Sequence, residues 1–182
     1  MKTQEEKIRA LREAGAVTRS HVIPHHGEYS IGKHCYNMAC MLAILHPNPP
    51  AYLYQAILMH DFPERWTGDM TATAKWSFPG LRENLEAAEK GVHEVYKLWG
   101  EVPRALTPRE QKWVSALDTM ELLLWTEDQI AMGNQNAVGV KQNILHALPQ
   151  RMGDYPQEVR QYLSNRVGWS REGDLVWPTK QS

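Results

Sequence analysis

Three things are scarce in this chain of 182 residues: cysteine, net charge and long apolar runs. Each scarcity closes a class of function. The two cysteines, Cys35 and Cys40, are spaced Cys-x4-Cys, which is not the structural zinc-knuckle spacing. On one helix they would not face each other, so they read as reduced core thiols of an intracellular protein. The formal net charge is -1, which leaves no general footprint for nucleic acid or an acidic membrane. No apolar run approaches the roughly 20 residues needed to span a bilayer. The start, Met1 to Lys7, is charged and lacks a signal-peptide core. A cytoplasmic protein with no nucleic-acid and no membrane partner is the expectation. Repeats, low-complexity segments and sustained two-residue alternation are absent too, which excludes a strand-built fold.

What is present is helical periodicity. The composition, 42% hydrophobic and 23% charged, is that of an ordinary globular domain. Residues 1–182 are expected to form a single all-α domain, with 167–182 as an irregular tail at a subunit contact. Residues 3–14 read as a short amphipathic helix with Ile8 and Leu11 inward and Gly15 as its stop. Ser30 caps a helix to about His46, with Met38, Met41, Leu42 and Leu45 as its apolar stripe. A second apolar helix follows from Ala51 to His60. Residues 61–80 read as an irregular loop, and 81–99 as helix. Thr107, Pro108 and Glu110 form a clear helix start, with periodicity to about Met132. Helices near 136–150 and 156–166 complete the chain.

The chemistry gathers around His60-Asp61. An imidazole beside a carboxylate at a helix end is costly to bury unless something pairs with both, and a divalent metal does so. His34 lies on the inner side of the first core helix. Asp118 sits among apolar residues in Trp113-Val114-Ser115-Ala116-Leu117-Asp118, unfavourable on propensity and on burial. Two imidazoles and two carboxylates from three helices make a mixed N/O set that suits Zn, Mn, Co, Ni or Fe(II) and leaves positions open.

The order His34, His60-Asp61, Asp118 in an all-helical chain resembles the HD-domain phosphohydrolases. Within them, His60-Asp61-x-x-Glu64-x-x-Thr67-Gly68-Asp69 followed by Lys75 looks like the run of the small 5′-deoxynucleotidases, with Arg19 placed as their substrate-binding arginine. The resemblance covers about residues 15–135. A second likeness, in Ala14 to Arg19 and around Asp118, is to the dATP triphosphohydrolases of phages that replace adenine with 2-aminoadenine. One departure is informative. The 5′-deoxynucleotidases carry tryptophan directly after the arginine, where this chain has Ser20.

The resemblance implies an HD-domain helical bundle that hydrolyses dATP to deoxyadenosine and triphosphate, depleting the dATP pool. The alternatives are a 5′-deoxynucleotidase acting on monophosphates and a non-enzymatic nucleotide-sensing module. His34, His60, Asp61 and Asp118 would hold Zn, Co or Mn, with Mg a candidate second ion on the phosphates. Glu64 would be the general acid/base. Asp69, after a glycine that permits a tight turn, would accept a hydrogen bond from the attacking water or the leaving oxygen. Arg19 can grip two phosphate oxygens, with Lys75 and Lys112 as further cations; Lys112 lies almost two turns before Asp118 on the same helix. Val22 and Ile23 would wall the base pocket, an aliphatic side chain near Val22 clashing with a purine 2-amino group. Trp76 is a candidate stacking residue, although core is its commoner use. A homo-oligomer is expected, in the host cytoplasm if the chain is phage-encoded.

Overall fold

The computed structural model describes residues 2–98 and 106–168, the Trp76 side chain excepted. The expected tail contact at 169–182 and the role of Trp76 lie outside the described residues. The helices are α1 (Gln4–Gly15), α2 (Ile31–Leu45), α3 (Ala51–Met59), α4 (Glu64–Thr67), α5 (Ala72–Ser77), α6 (Leu81–Tyr96), α7 (Pro108–Ala131), α8 (Asn136–Met152) and α9 (Gln157–Val167). No strand occurs among the described residues. A single antiparallel bridge joins Thr18 and Ser30. No helix among them is long and apolar enough to cross a membrane.

The helix starts follow from their caps. Thr3 and Glu6 close a capping box on α1, and Thr107 and Glu110 close another on α7. Ser30 accepts from the Lys33 amide at the start of α2. The core is built on α7, packed by α2, α3, α8 and α9 through Met38, Leu42, Ile57, Leu117, Leu123, Leu148 and Leu163. Because α7 is enclosed on most sides, its buried polar residues must each find a partner. Thr126 bonds its own turn, Gln129 clamps the His26 backbone, and Thr119 accepts from Tyr155.

Two expectations are corrected. Ile8 is 60% exposed; Ala10 and Ala14 are the buried positions of α1. Small residues are used there because α1 closes tightly on α2. A Cβ built on Gly32 would lie 3.0 Å from the Gly15 carbonyl oxygen. Residues 61–80 are not one loop but contain α4 and α5. Thr71 caps α5 through the Ala74 amide, a signal that Pro79 and Gly80 obscured. Gly68 ends α4 at φ 70°, a left-handed conformation natural to glycine, and this turn returns Asp69 toward α4's own end of the cleft.

Candidate metal centre and cleft

Three packed helices aim the central side chains. His34 lies one turn into α2, fully buried. His60 is the C-cap of α3, so it and Asp61 leave the helix end together. Asp118 comes from the middle of α7. Arg19 reaches the same point because residues 17–19 pair with 29–31: its amide donates to the Tyr29 carbonyl at 2.8 Å, and the Ile31 amide to Val17 at 2.9 Å.

His34, His60 and Asp61 each offer one ligand atom within 4.8 Å of the others. Asp118 stands beside them, its Oδ1 3.2 Å from His34 Nε2. The far nitrogens are both engaged. His34 Nδ1 lies 2.6 Å from Glu121 Oε2, and His60 Nδ1 lies 2.7 Å from the Ile57 carbonyl oxygen. A carbonyl only accepts, so His60 must carry its proton on Nδ1, and the carboxylate makes the same demand of His34. Each Nε2 then presents a lone pair toward a carboxylate oxygen, 3.2 Å away in both cases. Neither Nε2 has a hydrogen-bond partner among the described residues. Lone pairs facing lone pairs need a cation between them, and a divalent metal fits this donor set.

Electrostatics agree. Burial opposes charge on His60, yet Asp61 and its other neighbours outweigh burial and raise its pKa. Burial likewise works against the ionised Asp61, but His60, Arg19 and His34 hold its pKa well below the usual carboxylate range. Burial is also the largest effect on Asp118, and His34 and Arg19 overcome it to keep the carboxylate ionised. Glu64 goes the other way. It is 9% exposed, one of its oxygens is without a partner among the described residues, and burial followed by the charge on Asp61 pushes its pKa up to about 8. A neutral carboxyl at pH 7 beside ionised carboxylates is the separation of roles that acid–base chemistry uses.

These groups open onto a cleft of about 370 Å³. Arg19, Asp61, Glu64, Asp69, Lys75, Val22, Ile23 and Asp118 all line it. Arg19 is itself buried, bonded to Asp61 and, at 3.4 Å, to Asp118. It therefore touches both carboxylates as well as the cleft. Asp69 Oδ2 accepts from the Ser20 amide at 2.7 Å, with Ser20 held at φ 52°. Lys112 is a correction: it does not line the cleft, and its Nζ donates to Asp154 at 2.9 Å. Six residues on an α-helix turn about 600°, so Lys112 points about 120° away from Asp118.

Two groups escaped the sequence reading. Glu121 is buried, accepting from Tyr29 and, at 2.9 Å, from Asn37 while it orients His34. Its signal was available: it lies three residues after Asp118, one turn further on α7. The part of the lining supplied by α8 through Asn143 and Arg151 gave no local signal, because nothing in α8 itself indicates the cleft.

An all-helical bundle with this ligand order defines the class first: a metal-dependent phosphohydrolase of the HD-domain type. The chain belongs to the YfbR-like family, described as 5′-deoxynucleotidase YfbR-like, whose sequence profile matches residues 10–167. No curated protein matches it in sequence. Among solved structures it is similar to the HD phosphohydrolase DatZ of cyanophage S-2L, bound to dA and one catalytic Zn2+ ion. The TM-score is 0.66 at 20% identity, over 91% of this chain and 94% of that one.

Proposed function

We propose that the chain hydrolyses dATP or a closely related deoxynucleoside triphosphate to the nucleoside and triphosphate. The carrying observation is the convergence of His34, His60, Asp61 and Asp118 beside the neutral, buried Glu64 on the wall of one cleft. His34, His60, Asp61 and Asp118 would hold the metal. When bound, a divalent metal supplies Lewis acidity to the phosphate and lowers the pKa of water.

The chain's own residues account for the remaining tasks. Arg19 and Lys75 grip the phosphate at the metal. Glu64, whose buried carboxyl holds its proton more tightly than an exposed one, gives that proton to the departing nucleoside 5′-oxygen and recovers one from the attacking water. Asp69, fixed by the Ser20 amide, accepts a hydrogen bond from that water. Val22 and Ile23 wall the base. Ser20, standing where the 5′-deoxynucleotidases carry tryptophan, favours the triphosphate reading. The deoxyadenosine held by DatZ is the nucleoside that either a triphosphate or a monophosphate substrate would release, and it supports an adenine deoxynucleotide in this cleft.

The second reading is phosphate release from deoxynucleoside monophosphates, which the family match favours. Product chromatography separates the two. The protein would be incubated with Zn or Co plus Mg, and separately with dATP, dAMP and 2-amino-dATP. Deoxyadenosine with intact triphosphate, and 2-amino-dATP spared, is the expected result. Phosphate from dAMP with dATP untouched would overturn it.

A further inference from the structure

One face of α8 lines the cleft. Val140, Asn143, Ile144, Ala147 and Arg151 all line the cleft, and their spacing puts them on successive turns of that helix. The face is therefore graded along its length, apolar toward Val140 and Ile144 and cationic at Arg151.

The gradient has a direction relative to the metal ligands. α7 and α8 run antiparallel about the turn at Gly133 and Asn134. Beyond the end of α8, Lys112 bonds Asp154 at 2.9 Å and Tyr155 donates to Thr119 at 2.9 Å. These two bonds mark the pairing of the helices, and Arg151 comes level with the Asp118 turn of α7. Val140 lies about 16 Å back along the axis, toward the apolar end. Arg151 is exposed and makes no ion pair among the described residues.

We propose that Arg151 is a specificity residue that binds the phosphates beyond the one attacked. The inference rests on the triphosphohydrolase reading. A nucleotide whose reacting phosphorus lies at the ligand cluster, with its base in the apolar end, has its remaining phosphates directed along α8 toward Arg151. In that reading the reacting phosphate is already served by Arg19 and Lys75. Carboxylates from Asp61, Asp69 and Asp118 line the same cleft, so a polyphosphate tail needs a cation of its own. A guanidinium suits that task because its planar fork matches two phosphate oxygens at once.

The test is calorimetric titration of dATP and dAMP into zinc-loaded Glu64→Gln, chosen to prevent turnover, with and without Arg151→Ala. Losing a charged hydrogen-bond partner should weaken dATP binding about tenfold or more. dAMP binding should stay unchanged, and Arg151→Lys should recover part of the loss. Near-UV circular dichroism checks that each variant is folded. An equal loss for both nucleotides would place Arg151 on the reacting phosphate or in the fold, and no loss for either would remove it from the site. Both outcomes overturn the proposal. Failure of the triphosphohydrolase reading shows separately, in the unmutated chain, as dATP left intact while dAMP is cleaved. The dATP-to-dAMP affinity ratio still decides Arg151 in that case.

Discussion

The two sides of the cleft are built to different standards. His34 and Asp118 come from α2 and α7, helices whose inner faces are packed through Met38, Leu42 and Leu117. Glu64, Asp69 and Lys75 come from the stretch spanning α4, α5 and the turns around them, where Glu64 is the buried helical residue. The neighbouring α6 has no buried residue. It joins only a minor cluster, through Val92 and Tyr96 against Ala10, Ala14 and Phe62. Ligands need fixed vectors, and close packing supplies them. Glu64, Asp69 and Lys75, to which the proposed function gives proton transfer and the grip on phosphate, are held by a lighter frame that can adjust to a substrate.

The largest effect should come from breaking the lighter side at one atom. Glu64→Gln should lower kcat by about 10²–10⁴-fold, the worth of a general acid–base group, with zinc content intact by elemental analysis. The same variant has a stability signature. Glu64 titrates near 8 in the fold against about 4.5 unfolded, so its ionisation destabilises the fold progressively as pH rises through that window. Melting of the metal-free protein should therefore show Glu64→Gln gaining stability from pH 5 to pH 9, up to about 2–4 kcal/mol. A gain that is flat with pH would mean the carboxyl is not neutral in the fold.

Breaking the packed side should cost stability as well as chemistry. Leu117→Ala, next to Asp118 and fully buried, should cost about 2–5 kcal/mol by chemical denaturation and loosen zinc with it. Asp118→Ala should release zinc with a smaller stability change, and unchanged zinc content and activity would remove Asp118 from the ligand set. Glu121→Gln sharpens the contrast. It keeps the shape yet weakens the hold on His34 Nδ1, and should lower zinc affinity about 10–100-fold in chelator competition. The smallest effect belongs to Lys112→Ala. Its partner Asp154 is on the surface, so kcat/KM should not change and stability should move by less than about 1 kcal/mol.

Much of the packed side was legible in the sequence because it obeys local rules. A capping threonine followed by proline and, two residues on, glutamate announces α7, and a 3.6-residue apolar period announces α2. His60-Asp61 is adjacent in sequence, so its joint use at a helix end needs no knowledge of the fold. The lighter side was harder to read. Helices of four and six residues carry too few turns for periodicity to register, and prolines around them mimic a loop. Lys112 stays outside the cleft for a geometric reason: closeness along a helix axis does not give a shared face.

By itself the sequence determined the helical class, the main caps and the pairing of His60 with Asp61 at a helix end, since each depends on neighbours within a turn or two. Only the tertiary structure decided that Glu121 orients His34 and that Arg19 sits against Asp61 and Asp118. It also turned Lys112 outward and brought Arg151 level with Asp118. Those are long-range facts: they follow from how α2, α7 and α8 pack across the core, and no local spacing encodes that packing.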